Sequence, residues 1–163
     1  CANFENKLAF HYISNKCSSI LLEDESKTIG KATLPKNWYN KMQTSDLIVM
    51  DIKIEERVQN IVNEYITLAL DQIKTPSRLR DNYLTELKKI QRRLGGVLFK
   101  KIHVLVDDAF STNSLDKHKD WVHDLLHYDY DPMYNHKLNL RKNYIVHRGN
   151  FESCFDYISS IKE

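Results

Sequence analysis

The sequence predicts an α/β protein in which a parallel sheet carries a large helical insert. Short apolar runs that end in charged residues alternate with amphipathic helical patterns near both ends of the chain, which is the order expected of parallel strands joined by helices. Helical patterns fill the stretch between them. The 163 residues include only 4 glycines and 3 prolines, which argues against a turn-rich β-sandwich and favours helices.

The first two elements are predicted from the spacing of apolar residues. Apolar side chains at helical intervals predict a helix over Asn3–Asn15. The apolar run Ser19–Leu22 predicts a buried strand, which ends where the acidic residues Glu23, Asp24 and Glu25 begin.

A short helix, a second strand and a long helix are predicted next. The short helix opens at Leu34–Pro35, because proline is tolerated in a first helical turn. The run Leu47–Met50 predicts the strand, with Asp51 at its end. Apolar residues at three- and four-residue steps then predict a helix over Ile54–Ile73.

The helical insert is predicted from a series of amphipathic segments. A helix from Arg78 to Leu94 is expected to stop at Gly95–Gly96, because glycine accepts the left-handed conformation that ends a helix. Further helices are predicted over Leu98–Phe110 and Leu115–His127, and Asp131–Pro132 indicates a turn or another helix start.

The chain is expected to close with a strand and a helix. Tyr144–Val146 predicts the strand, which is followed by His147, Arg148 and Gly149, and an amphipathic helix begins near Phe151. We therefore divide the chain into an α/β core over 1–75, a helical insert over 76–143, and a closing strand and helix of the core over 144–163.

Composition limits the class of protein. The net charge of +2 is compatible with RNA binding but does not require it. The three cysteines are widely spaced, so a disulfide framework is not expected and a reducing cytoplasm is the predicted location. No apolar run approaches the roughly 20 residues that cross a bilayer. The chain starts at Cys1; we interpret this as a fragment of a longer protein, with a processed lipoprotein as the alternative.

The acids after the first predicted strand are candidate ligand-site residues. A carboxylate at the carboxyl end of a parallel strand faces the crevice where α/β sheets bind ligands, and it can hold Mg²⁺ there. Asp24 and Glu25 fit this position; the alternative is a solvated acidic loop. No glycine has the spacing of a phosphate-binding loop, so that loop is not expected within this chain.

Two features could contact RNA. Basic residues at helical spacing could meet a phosphate backbone, or could form a solvated face balanced by acids. Three tyrosines could stack on unpaired bases or could anchor the insert to the sheet, and the sequence does not decide between these roles. The basic residues are Lys88, Lys89, Arg92 and Arg93, and the tyrosines are Tyr128, Tyr130 and Tyr134.

Histidines and cysteines are weaker candidates for chemistry. His123 and His127 have metal-ligand spacing, but no HExxH pattern surrounds them, so we interpret these and His118 as surface or partner-facing residues, with a zinc site as the alternative. Cys17 and Cys154 are interpreted as buried structural residues, because no pattern of pKa-lowering groups accompanies them.

These segments, taken in order, resemble a known family. The stretches that carry the resemblance are Leu22–Gly30 with the pattern LEDESxxIG, Glu55–Val58, Arg92–Gly96, Tyr130–Tyr134 with the sequence YDPMY, and Val146–Gly149. They look like the C-terminal domain of the tRNA 2-selenouridine synthases. The resemblance implies a partial P-loop NTPase-like parallel sheet with the helical insert.

The resemblance also implies an activity. Family members convert the wobble 2-thiouridine of tRNA to 2-selenouridine, with selenophosphate and geranyl diphosphate as substrates and an S-geranyl intermediate. Carried over by position, the vicinity of a diphosphate and its Mg²⁺ would include Asp24, Glu25, Ser26, Lys27, Gly30 and Arg148. The tRNA-binding candidates are Arg57, Lys89, Arg92, Arg93 and Tyr134.

The chain departs from the family pattern in what it lacks. The rhodanese-like domain, its cysteine and the Walker A segment are expected upstream and would be partners of this part. We therefore expect no catalytic residue or resident cofactor here, no membrane association, and no activity from this part alone. The alternative is a stand-alone RNA-binding or protein-interaction module without catalysis.

Overall fold

The chain is mainly helical, with two small sheets. The structure, a computed structural model, describes residues 2–15, 19–24, 26–73 and 75–161. They form two compact units. The first contains the described residues up to Ile48 together with Asn143–Val146, and the second contains Val49–Lys142 together with the described residues from His147 onward.

The elements follow one another with short connections. The strands are β1 (Thr28–Ile29), β2 (Ala32–Thr33), β3 (Leu47–Met50) and β4 (Ile145–Gly149). The α-helices are α1 (Ala2–Ser14), α2 (Lys36–Gln43), α3 (Ile54–Ile61), α4 (Leu68–Ile73), α5 (Pro76–Lys89), α6 (Gln91–Thr112), α7 (Leu115–Leu125), α8 (Asp131–Leu140) and α9 (Phe151–Ser160). Two π-helical turns, π1 (Val62–Thr67) and π2 (Leu126–Tyr130), and a 3₁₀ turn, Lys142–Tyr144, complete the described elements.

The first unit contains α1, a hairpin and α2. The helices predicted near Asn3 and Pro35 are confirmed as α1 and α2, and the rings of Tyr12 and Trp38 pack edge to face with centroids 5.1 Å apart. Strands β1 and β2 pair antiparallel around a two-residue turn. Gly30 opens that turn with φ of 59°, a conformation that glycine adopts without strain.

The strand predicted at Ser19–Leu22 is wrong. Residues 19–24 have no regular secondary structure, and the side chain of Leu21 is 67% exposed. A short apolar run becomes a strand only where a neighbouring strand accepts its backbone hydrogen bonds, and no described strand pairs with this run. The carboxyl end of a parallel strand, where Asp24 and Glu25 were expected to face a ligand crevice, is therefore not formed in the described residues.

Strands β3 and β4 form a parallel pair, so the predicted α/β class with a large helical part is confirmed. The Leu47–Met50 strand has the predicted bounds, and the last strand runs to Gly149, beyond the predicted end at Val146. The buried Cys154 lies against this pair, with its Sγ 3.6 Å from the carbonyl oxygen of Val49, which confirms its structural role. Cys1 and Cys17 lie outside the described residues.

The helices of the second unit surround its main apolar core. The predicted Ile54–Ile73 helix is confirmed: α3, π1 and α4 run without a break between those residues. Its apolar face packs against α5 and α7, and its buried residues share one core cluster with residues of α6. The buried core residues are Val58, Val62, Ile66, Leu87, Ile102, Val106, Ala109, Trp121, Val122 and Leu126. None of the described helices is both long enough and apolar enough to span a bilayer.

The insert differs from its predicted boundaries at two places. Helix α5 ends at Lys89 rather than at Leu94, and α6 bends at Gly95, whose φ of 75° and ψ of 162° are not helical. Gly95 thus interrupts the helical backbone as predicted, but it does so one turn after α6 begins and not at the end of α5. At the second place, α7, π2 and α8 run without a break, so Asp131–Pro132 starts α8 without a turn before it.

The interpretation of His118 as a surface residue is wrong. Its side chain is 2% exposed, and its Nδ1 accepts a hydrogen bond of 3.0 Å from the indole Nε1 of Trp121. The imidazole is buried because it also packs edge to face on Phe110, at a centroid distance of 4.5 Å. Helical spacing alone did not distinguish this core-facing histidine from its exposed neighbours on the same helix.

Candidate functional site

The carboxyl edge of the β3–β4 pair carries a charged pair of residues. Asp51 follows β3, and Arg148 lies near the end of β4. The guanidinium of Arg148 donates two hydrogen bonds of 2.8 Å to the carboxylate of Asp51 and thereby holds the pKa of Asp51 below its usual value. The side chains are 55% and 52% exposed, so the pair contributes little to stability and a ligand can reach the guanidinium.

The start of α9 packs tightly under this edge. Asn150 caps the helix by accepting a hydrogen bond of 2.9 Å from the backbone N–H of Ser153. His147 lies 2.9 Å from the hydroxyl of Ser153 through its Nε2 and stacks on Tyr157 at 4.5 Å. A Cβ at Gly149 would lie 2.8 Å from the Ser153 hydroxyl, so glycine is needed for this close approach.

This arrangement is of a kind that binds anionic ligands. Ligands of open α/β sheets bind outside the carboxyl ends of parallel strands, and Arg148 presents a planar fork of donors at such an end. Arginine forks match the geometry of phosphate oxygens as well as that of carboxylates. Asp51 occupies the fork in the structure, in a solvent-exposed contact that an oxyanion could replace.

A second set of ion pairs joins α8 to α3 and π2 to α6. Asp131, at the start of α8, accepts hydrogen bonds of 2.7 and 2.8 Å from Arg57 on α3. Asp129, in π2, accepts bonds of 2.7 and 2.6 Å from Arg93 on α6. Residues two apart on a helix point in nearly opposite directions, so the two carboxylates reach two different helices. Asp131 therefore ties α8 to α3, and Asp129 ties π2 to α6.

Two predicted tRNA-binding arginines are thus already engaged within the chain. The carboxylate of Asp129 is only 4% exposed, and Arg93 covers it while remaining 47% exposed. The hydrogen bonds from Arg57 lower the pKa of Asp131, and the bonded carboxylate raises the pKa of the arginine. A direct contact of Arg57 or Arg93 with an RNA phosphate stays a prediction. Each arginine also has a structural role, because it neutralises an aspartate of a neighbouring helical element.

The remaining tRNA-binding candidates are exposed. Lys89 is exposed and pairs with Glu86, one helical turn away. Arg92 is exposed, and the structure describes no ion pair for it. Tyr134 is 51% exposed, with the ammonium of Lys137 lying 5.6 Å from its ring centroid. Their contacts with RNA stay predictions.

The predicted diphosphate residues of the first unit are all exposed where they are described. Ser26 donates a hydrogen bond of 2.6 Å to the carbonyl of Thr28, and Lys27 accepts one from the backbone of Leu34. Gly30 provides the hairpin turn. Asp24 lies in the irregular stretch before the hairpin, and Glu25 lies outside the described residues. The prediction that they share a crevice with Arg148 stays a prediction.

The histidines do not form a described metal centre. His123 and His127 stack with centroids 5.7 Å apart on one face of α7 and π2. In the described part of the chain, no group of three or more histidine, cysteine, aspartate or glutamate residues could hold a metal ion.

Comparison with known families identifies the family of this chain. A family model described as the tRNA 2-selenouridine synthase AAA domain matches residues 1–163. The chain belongs to this family. The resemblance carried by the LEDES and YDPMY stretches is therefore confirmed, whereas no solved structure gives a significant match.

Curated tRNA 2-selenouridine synthases match the chain along nearly all of its length. The protein of Shewanella frigidimarina is 32% identical over 98% of this chain and 48% of its own length. The protein of Shewanella denitrificans is 32% identical over 99% of this chain and 48% of its own length, and that of Hydrogenovibrio crunogenus is 30% identical over 96% and 45%. The chain spans about half the length of these relatives.

Sequence reasoning missed several residues that shape both charged clusters of this synthase domain. Asp51 follows an apolar strand as an acid, so the rule that selected Asp24 could have found it. His147 and Ser153 gave no signal, because their contact depends on how α9 turns back under β4. Asp131 was noted only as a turn or helix start, and nothing in the sequence paired Asp129 or Asp131 with arginines 36 and 74 residues away.

Proposed function

We propose that this chain contributes the substrate-binding part of an enzyme that converts wobble 2-thiouridine in tRNA to 2-selenouridine. In this proposal the reaction passes through an S-geranyl intermediate, and the remaining half of the enzyme supplies the Walker A segment and the rhodanese-like domain. Arg148 contacts the diphosphate of the prenyl substrate, and Lys89, Arg92 and Arg93, on α5 and α6, contact the tRNA backbone.

One observation carries the proposal. Arg148 presents an exposed guanidinium at the carboxyl edge of two parallel strands, in a domain that matches the synthase family from end to end. The double hydrogen bond to Asp51 supports the role, because the same donors, in the same plane, suit a diphosphate oxygen pair. Asp24 and Glu25 are proposed as the carboxylates that would hold the Mg²⁺ ion of the diphosphate substrate.

The test separates the two binding roles. Arg148→Ala in the full-length protein should lower the rate of tRNA geranylation by roughly 10- to 100-fold, since a hydrogen bond to a charged group is worth about 1.5–3 kcal/mol. Binding of tRNA, measured by filter retention, should stay within a factor of about two, because Arg148 is assigned to the diphosphate. Arg78→Ala, which removes an exposed arginine on α5, is the matched control.

Two outcomes would count against the proposal. Unchanged geranylation by the Arg148→Ala protein would reject the diphosphate role. A wild-type protein that binds tRNA but transfers no prenyl group would instead favour a stand-alone RNA-binding module, the alternative that the exposed basic helices support.

A further inference from the structure

The bend of α6 opens a surface depression in the second unit. Its volume is about 470 Å³, and its lining includes Gly95, Val97, Leu98, Lys101 and Tyr128. That volume falls within the roughly 300–1,000 Å³ typical of small-ligand sites. Because the backbone of Gly95 is not helical, the axis of α6 changes direction there, and the space beside π2 stays open.

The lining exposes apolar surface that the core of the unit does not cover. Val97 is 88% exposed and Tyr128 is 54% exposed. The imidazole of His127 packs edge to face on the Tyr128 ring at a centroid distance of 4.6 Å, which helps fix the orientation of the ring. A fixed and exposed aromatic ring beside an open apolar floor is the arrangement on which unpaired bases stack.

Positive charge adjoins the ring. The ammonium of Lys101 lies 6.0 Å from the ring centroid of Tyr128 and pairs with Asp124 at 2.7 Å. The Lys101 side chain is 56% exposed and that of Asp124 is 11% exposed, so the ammonium is within reach of a phosphate while it also neutralises a nearly buried carboxylate. A flat apolar group joined to an anion fits this combination of floor, ring and cation.

We propose that the depression binds one unpaired nucleotide of an RNA strand, with its base stacked on Tyr128 and its phosphate held by Lys101. The inference rests on the proposed function in taking RNA as the ligand, and it goes further by assigning the contact to a single-stranded nucleotide. A base paired within a duplex is already stacked on its neighbours and cannot lie on the ring.

The experiment compares single-stranded with double-stranded RNA. The full-length protein is titrated into a labelled RNA strand of about ten nucleotides, and separately into a duplex of the same length, with fluorescence anisotropy as the readout. Tyr128→Ala should weaken single-strand binding by about 5- to 100-fold, the range measured for loss of one stacked base. Tyr128→Phe keeps the ring and should bind within about twofold of wild type.

Two further variants give the test its controls. Tyr65→Ala removes a tyrosine of π1 that is also 54% exposed, and it should leave binding unchanged. Lys101→Ala should weaken binding and reduce the slope of log affinity against log salt concentration by about one, as expected for one lost phosphate contact.

Several results would overturn the inference. These are wild-type affinity in Tyr128→Ala, an equal loss in Tyr65→Ala, an equal loss for the duplex, or a loss in Tyr128→Phe as large as that in Tyr128→Ala. A Tyr128→Ala protein that loses affinity for geranyl diphosphate but not for the RNA strand would make the depression a prenyl site, which also overturns it.

Whole tRNA is titrated in parallel so that the two proposals can fail separately. If wild type and Tyr128→Ala bind tRNA and the short strand equally, the nucleotide site is rejected and the proposed function stands. If the wild-type protein binds no tRNA, both are rejected.

Discussion

His118 lies in the core of the second unit with its Nδ1 committed as an acceptor. The indole of Trp121 donates to that nitrogen, which must therefore be unprotonated. Burial lowers the pKa of His118 from the usual 6.5, because the charged imidazolium is poorly solvated there. The folded protein thus binds this proton less readily than the unfolded chain does.

The consequence is a loss of stability in mild acid. As the pH falls below about 6.5, the unfolded chain takes up the proton first, so the free energy of unfolding should decrease toward the folded pKa, by at most about 1.4 kcal/mol per pH unit. In His118→Asn the amide oxygen can accept the indole hydrogen bond without titrating, so the decrease should be smaller. Urea unfolding at several pH values measures it, with His136→Asn, at an exposed position on α8, as control. Equal pH slopes for wild type and His118→Asn would contradict this account.

At the same scale, the side chains of the charged clusters show where sequence reasoning stops. The basic residues were predicted as candidates for RNA contact and Asp131 as a turn or helix start, but the pairing of arginine with aspartate was not predicted. Arg57 and Asp131 are 74 residues apart, and only the packing of α3 against π2 and α7 brings them together. A sequence read alone cannot distinguish an arginine that binds RNA from one that holds a helix in place.

Among the elements, local pattern predicted the helices well and the strands unevenly. Ile54–Ile73 has a clear helical period, and Leu47–Met50 is a compact apolar run with a partner in β4, so both formed as predicted. Ser19–Leu22 has an equally apolar pattern and formed no strand. The difference is the neighbour, which a strand needs for its hydrogen bonds and a helix does not.

The two adjacent glycines of α6 should respond differently to substitution. Gly95 has φ of 75° and ψ of 162°, a region that residues with a Cβ avoid, whereas Gly96 follows it in the helix. Gly95→Ala should lower the free energy of unfolding by about 1–3 kcal/mol. Gly96→Ala should raise it by up to about 1 kcal/mol, since alanine favours helix.

Urea unfolding of both variants checks this prediction. A Cβ would meet no atom within 4 Å at either glycine, so steric clashes cannot account for a difference. Equal stability of the two variants would mean that the bend does not depend on the backbone of Gly95.

For the molecule as a whole, a net charge of +2 provides only weak general attraction to RNA. Affinity for RNA must therefore come from local groups of exposed cationic side chains. The contribution of such a side chain to RNA binding can be measured separately from its contribution to stability. Arg92 and Arg93 are adjacent in sequence, but only Arg93 covers a buried carboxylate.

Substitution should separate these two arginines. Arg92→Ala in the full-length protein should weaken tRNA binding and reduce the salt slope by about one, with an unchanged melting temperature. Arg93→Ala should also destabilise the protein, by about 1–3 kcal/mol, because Asp129 would stay buried without its partner. Salt titrations and thermal melts of both variants measure these effects. A stable Arg93→Ala protein, or a wild-type salt slope in Arg92→Ala, would contradict this assignment.

The five-residue turn π2 lies within the continuous helix of α7, π2 and α8, and it makes this stretch respond differently to a lost and to an added residue. A π-helical turn holds about one residue more than an α-helical turn, so loss of one residue there would restore α-helical geometry and leave the residues that follow close to their present orientation. An added residue would instead rotate everything that follows by about 100°. Asp124, which precedes the turn, would keep its place beside Lys101, while Asp131 would swing away from Arg57. A deletion within π2 would therefore be tolerated more readily than an insertion.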